Sequence, residues 1–308
     1  MSQEQKEHVE PTFQARSQRQ RIQSTFLKNR TAIVGLVLVI LIALVAIFAD
    51  DWFIAMFQGR DAKPLVALFN PTKQDARNRL APPTPEHFMG LDAYGRDTWA
   101  RIVYGTRVSL SVGLASVLLG GVLGTLMGLV AGYVGGRVEN LIMRAVDVLM
   151  AFPSLIMGLM VLAVLGGGVG KMILAIGIVL SPTFARVAHS ATLMIKENEY
   201  VEVARSLGAS QLRIIRSHVL PNILGEMVVL ASIWIATAIR VEANLSFIGL
   251  GVSPPTPAWG TMIREGTQHL GGAPWVSLFP GLAILITVLA FNLVGDGLRD
   301  VLDPRLQV

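Results

Sequence analysis

Along the chain, apolar residues gather into six stretches that carry no charge for long enough, or nearly long enough, to cross a bilayer as helices. A hydrocarbon core about 30 Å thick needs about 20 apolar residues in a helix. The first stretch, 31–49, is rich in Val, Ile and Leu. Others follow at 108–136, 148–170, 172–185, 227–239 and 270–295. The fourth is short, but it extends toward Ser190 if Arg186 snorkels to the headgroups. The fifth extends through Arg240 and Glu242 to about Gly251. A further uncharged stretch, 243–263, holds Pro254, Pro255 and Pro257, which remove donors and break a helix, so it adds no seventh span. The pattern predicts an all-α, polytopic membrane protein with six transmembrane helices.

Basic residues near span ends set the orientation. Arg16, Arg19, Arg21, Lys28 and Arg30 precede the first span, against Arg60 and Lys63 in the equal stretch after it. The N-terminus is therefore expected in the cytoplasm, and an even number of spans returns the C-terminus there. Arg101 and Arg107 on the outer side run against this rule. Cleavable signals end in a small-residue site. Here a polar leader comes first and the span closes on Phe48-Ala49-Asp50-Asp51, which reads as an uncleaved anchor. The expected division is a leader over 1–30, a first helix over 31–49, an external loop over 50–106, a multi-span membrane core over 107–296 and a cytoplasmic tail over 297–308.

Composition agrees with that pattern. Of 308 residues, 52% are hydrophobic and 15% charged, where a soluble domain carries roughly 25% charged. The net charge of +5 sits between the apolar stretches, which argues against a nucleic-acid partner. Without cysteine there is no disulfide, thiolate metal site or thiol nucleophile. His8, His87, His189, His218 and His269 stand singly, and none has metal-ligand spacing. No G-x-x-x-x-G-K-[ST] is present, so if ATP drives this chain, a partner binds it. Gly120, Gly124, Gly128 and Gly132 recur every fourth residue, a ridge of small side chains that lets a second helix approach closely. Asp92, Arg96 and Asp97 read as a polar corner pinning the outer loop with Arg101 and Arg107; an acidic catalytic pair is the alternative, and no nucleophile or metal ligand accompanies it.

The inward loop over 186–226 is the most informative segment. Tyr200, Val203, Ala204 and Leu207 share one helical face, and Gly208 supplies a stop. Ser210 is placed to cap a second short helix with Leu212, Ile215 and Val219 on its apolar side, closed by Pro221. Two amphipathic helices hinged at a glycine offer a surface to another protein; packing on the chain's own spans is the alternative. This loop, 199–221, resembles the EAA loop of permease subunits of type I ABC importers, in which E-A-A, three residues, G and a later I-x-L-P recur. Glu202, Ala204, Gly208, Leu220 and Pro221 match; Val203 replaces the middle alanine and His218 stands where isoleucine is usual. The stretches 90–97, 107–110, 132–136, 143–147, 254–262 and 291–300 resemble the C-type subunit of the dipeptide/oligopeptide/nickel branch.

The resemblance implies a multi-pass subunit in a bacterial or archaeal cytoplasmic membrane. Its implied partners are a homologous second permease, two cytoplasmic ATPase subunits and an external solute-binding protein. ATP and Mg would be bound by the ATPases, and this chain would hold no cofactor, no metal and no catalytic residue. Di- or oligopeptides are the expected cargo, with nickel or opine-type solutes as the alternative. A self-sufficient channel or secondary transporter would show internal repeats, which the sequence lacks. A membrane-embedded enzyme would need convergent nucleophiles. Co-purification with ATPase subunits separates these classes. The outer loop and the segment around Trp259 are expected at the docking face for the binding protein. Finally, Arg240 and Glu242 lie about 20 Å along a span starting near Met227, at 1.5 Å per residue. As i, i+2 neighbours they point about 160° apart. Each needs a partner elsewhere, which makes them candidates for the translocation path unless the span starts later and leaves them at the headgroups.

Overall fold

The computed structural model describes residues 29–58 and 61–302, so the leader up to residue 28 and the tail from residue 303 lie outside the described residues. Among the described residues there is no strand, only isolated bridges from Asp50 to Pro64 and from Leu91 to Asp97. In chain order the helices are α1 (Arg30–Ile47), α2 (Trp52–Gln58), α3 (Thr98–Val134), α4 (Gly136–Met150) and α5 (Ser154–Leu165). They continue as α6 (Val169–Lys196), α7 (Glu199–Ser206), α8 (Gln211–Ile214), α9 (Leu220–Ile248), α10 (Trp259–Thr267) and α11 (Trp275–Leu302). Among the described residues, α1, α3, α6, α9 and α11 are long and apolar enough to cross a membrane.

The third expected span is where the reading over 148–170 needs correction. The chain bends by 95° between α4 and α5, so a sixth crossing exists only if the two count as one broken span. Pro153 explains the break: it has no N–H to donate, and it biases the residue before it away from the helical region. At 1.5 Å per residue the 12 residues of α5 reach about 18 Å, short of a crossing alone. The second span starts at Thr98, ten residues before the apolar run, because Asp97 Oδ1 accepts the N–H of Ala100 at 2.6 Å and caps it. Arg101 and Arg107 therefore lie on a helix, not in the loop.

The glycine ridge forms the closest helix pair. A Cβ at Gly120 would stand 2.6 Å from the Gly177 carbonyl oxygen. One at Gly124 would run into the Ser181 carbonyl, one at Gly128 into the Ala185 carbonyl, and one at Gly132 would stand 2.9 Å from Thr192 Cβ. All four partners lie on α6, so α3 and α6 meet backbone to backbone. The buried core spreads from that seam through Leu129, Ile176, Leu180, Phe184, Ile223 and Leu245. α1 leans on α11, where Gly35 lets Leu293 approach. Asn29 donates to Asp300 at 3.2 Å at one end of α1. At the other, Arg107 donates to the Ala46 carbonyl at 3.0 Å and to Asp50 at 3.1 Å.

At the end of the bundle where α3 begins, the loop over 61–97 and α10 close into a charged corner. Arg96 donates to Asp92 at 2.6 Å and to Glu265 of α10 at 2.7 Å. Arg101, almost fully buried, pairs with the same two carboxylates at 3.4 and 3.6 Å. Asp97 also meets His87 Nδ1 at 2.8 Å. Trp259, expected at an outer docking face, is 1% exposed and donates from Nε1 to the Ile102 carbonyl at 3.1 Å. Its indole is a buried wedge between α10 and α3. The prolines at 254, 255 and 257 lie in the irregular link between α9 and α10, as expected.

Candidate functional site

The opposite end of the bundle carries the segment over 197–221. α6 ends there with Lys196 reaching the Gly132 carbonyl at 3.3 Å. α7 is two turns long, with Glu199 and Glu202 in its first turn and Arg205 in its last, charges that oppose the helix dipole. It stops as the chain reaches Gly208 at φ +81°. Ala209 N–H donates back to the Ala204 carbonyl at 3.1 Å and Gly208 N–H to the Arg205 carbonyl at 3.0 Å. That pair of bonds satisfies the last carbonyls and requires a left-handed residue. Ser210 then caps α8, its Oγ accepting the Arg213 N–H at 3.4 Å.

The expected apolar face divides in two. Of the four residues named, Ala204 is half-buried against the chain's own core, beside the fully buried Val201, which the expected face left out. Tyr200, Val203 and Leu207 point away, 44%, 57% and 82% exposed, and Leu212 joins them at 55%. Four exposed apolar side chains on one capped segment, rimmed by Glu202, Arg205 and Arg213, form a surface of the kind that takes a protein partner.

In the second half, Ile214 and Val219 are buried where a 3.6-residue period named Leu212, Ile215 and Val219. The cause is one π-helical turn, Ile215–Val219, which brings residues five apart into line. Pro221 does not close a helix as expected. It sits in the first turn of α9, and the wider π turn ahead of it relieves the clash a proline makes with the carbonyl four residues back. Leu220 is half-buried at the same junction. Asn222, which the sequence reading missed, donates to the His218 carbonyl and to Tyr200 Oη, the latter at 3.4 Å, tying α7 to α9.

Arg240 and Glu242 diverge, as their spacing requires. Arg240 is exposed and donates to Thr237 Oγ1 at 3.1 Å. Glu242 is fully buried between α9 and α3, accepting from Ser109 at 2.9 Å and Ser246 at 2.8 Å. α9 begins at Leu220, seven residues before Met227, so both residues lie nearer the corner end than the sequence alone placed them. In this conformation Glu242 joins two helices and faces no open cavity.

Residues 124–308 match the family described as the binding-protein-dependent transport system inner membrane component. Residues 17–83 match the N-terminal TM domain of oligopeptide transport permease C. The dipeptide transport system permease protein of Alkalihalophilus pseudofirmus is 40% identical over 280 residues, covering 91% of this chain and 88% of that protein. The glutathione transport system permease protein of Escherichia coli O6:K15:H31 is 42% identical over 282 residues, with 92% and 89% covered. Among solved structures, an inward-facing MetNI methionine ABC transporter matches with a TM-score of 0.54 at 21% identity, covering 66% of this chain and 97% of its own. The likeness to that structure is one of fold.

Proposed function

The chain belongs to the binding-protein-dependent transport system inner membrane component family, and from that membership we propose that it is the C-type permease of an ATP-driven importer of di- or oligopeptides. The observation that carries this reading is the exposed apolar stripe of Tyr200, Val203, Leu207 and Leu212 on a segment rigidly capped at Gly208. The relatives named for dipeptide and glutathione transport support the cargo. The end of the bundle bearing 197–221 lies in the cytoplasm, and the charged corner lies outside.

In this reading the stripe seats in one of two ATPase subunits, with Glu202 as its polar contact. Closure of the ATPases on ATP moves α7 and α8, and the motion passes into α9 through the continuous π turn and into α6 through Lys196. A homologous second permease completes the passage, and an external binding protein delivers the peptide. The chain supplies a two-state mechanical element biased by nucleotide elsewhere. Its own residues break no bond.

Reconstitution tests it. The chain, co-expressed with its second permease and ATPases, purifies as one complex that takes up peptide in proteoliposomes with binding protein and ATP. Leu207→Asp lowers coupled transport at least tenfold while both permeases remain assembled. An active chain that purifies without ATPase subunits refutes the importer. Glu202→Ala costs on the order of 1–3 kcal/mol of ATPase binding if its partner is left buried and unpaired, read as weakened co-purification.

A further inference from the structure

α4 presents an unpartnered face whose level in the bilayer is set by the glycine ridge. Gly128 stands about 30 Å along α3 from Val108, where the uncharged run begins, at 1.5 Å per residue, which is one hydrocarbon thickness. A Cβ at Gly128 would meet the Ala185 carbonyl and the His189 N–H, so that part of α6 lies at the same rim of the apolar slab. α4 is held to it at two points. Glu139 meets His189 Nε2 at 2.8 Å, and Asp147 accepts from Arg186 Nη2. Eight residues of α4, about 12 Å, are thus matched by three of α6, about 4.5 Å. α4 therefore runs across α6 along the rim, and the 95° bend at Pro153 lays it there.

Glu139, Val146 and Asp147 make the contacts of α4 with the bundle, and Val146 is fully buried. On the opposite side Val138, Leu141, Ala145 and Val148 recur at helical spacing and are exposed, Leu141 at 74% and Val148 at 62%. Arg137 and Arg144 stand four residues before Leu141 and Val148, so both border the stripe on the same flank. Both are exposed, and neither has an ion-pair partner among the described residues. Such a stripe is not left bare in water, and an arginine is disfavoured in hydrocarbon. A helix at the rim meets both demands by lying in the bilayer surface. We propose that α4 is a lipid anchor, with Val138, Leu141, Ala145 and Val148 sunk among acyl chains and Arg137 and Arg144 on the phosphates of anionic phospholipid. The guanidinium fork fits phosphate oxygens. Gly135 and Gly136, at φ +74° and +60°, join α4 to α3, and Pro153 parts it from α5, so lipid rather than a continuous helix sets its tilt. Through Glu139 and Asp147 that hold reaches α6, whose far end leads into α7.

The chain has no cysteine, so a bimane label goes to one introduced site when its partners are cysteine-free. The assembled complex is placed in nanodiscs in which a tenth of the lipid carries a doxyl quencher near the headgroup. Labelled Leu141→Cys loses at least half its emission to doxyl phosphatidylglycerol, and Leu207→Cys on α7 does not. The same fraction of doxyl phosphatidylcholine quenches at most half as strongly. The double variant Arg137→Gln, Arg144→Gln abolishes that difference, and Arg137→Lys with Arg144→Lys keeps it. If Leu141→Cys escapes quenching, the stripe is covered by the second permease, where its emission is blue-shifted, or by water, where it is not, and either result overturns the anchor. Equal quenching by the two lipids in the parent complex, or a preference that survives the glutamine pair, overturns the assignment of the arginines. Both leaflets of the disc are alike, so the outcome depends neither on cargo nor on which end is cytoplasmic.

Discussion

Gly208 sits at φ +81° with nothing within 4 Å of where a Cβ would stand, so a side chain there meets backbone strain and no neighbour. Gly208→Val carries a left-handed penalty of about 1–2 kcal/mol, whereas asparagine tolerates that region. Peptide uptake by the assembled complex is expected to fall with valine and to survive with asparagine. Gly95 is constrained differently, at φ +72° and with a Cβ position blocked by the Asp75 carbonyl, so even alanine there opens the loop. Beside it, the side chain of Asn78 and the N–H of Arg77 hold the Asp75 carboxyl below the usual carboxylate range. A depressed pKa means that this turn is favoured above the ordinary carboxylate pKa and is lost as pH falls through the folded value. Proteolysis of the loop in the intact complex is therefore expected to accelerate only in acid. Glu265→Gln leaves Arg96 and Arg101 to share Asp92; removing one partner from a buried network costs about 3–5 kcal/mol, read as a lowered melting temperature of the purified complex. The sequence showed Asp92, Arg96 and Arg101 as a polar corner, but not Glu265. That carboxylate lies 169 positions beyond Arg96, and no local spacing points to it.

Helix pairing by small residues was legible because a repeat of four keeps glycines on one face of a helix, and every member of the ridge does meet α6. Gly128→Leu would drive a branched side chain into the Ala185 carbonyl and the His189 amide. The expected result is a chain that neither accumulates in the membrane nor co-purifies with its partners, measured by immunoblot and pull-down. The broken third span was written in the sequence as well, at Pro153, but absence of charge outweighed the missing donor in a reading by apolar runs. The π turn was not legible, since nothing in Ile215–Val219 announces a fifth-residue hydrogen bond. It shifted the buried face from Leu212 to Ile214. The stripe on α7 was half legible: periodicity found Tyr200, Val203, Ala204 and Leu207 but passed over Val201, which this chain buries fully, because that choice depends on the angle at which α7 leaves α6.

For the whole molecule, Arg101 and Arg107, the two arginines at odds with the charge rule, are each spoken for. Arg101 is buried between Asp92 and Glu265, and Arg107 is bound to Asp50 and the Ala46 carbonyl. Neither is a free charge at a membrane surface. With the proposed orientation, Phe88→Cys near the corner is labelled from outside in intact cells, and Arg213→Cys only after permeabilisation. The reverse pattern would invert the topology. The same corner also sets an order of events during synthesis. Asp92, Arg96 and Arg101 leave the ribosome well before Glu265, so for the length of α3 to α9 the two arginines have one shared carboxylate. Domains and helices emerge N-terminal first, which leaves the mouth of α3 unfinished until the last hairpin inserts. A nascent chain stalled before Glu265 should therefore be open to membrane proteases at that mouth, and one stalled just beyond α11 should not. The lock on the first half of this protein is delivered by its final quarter.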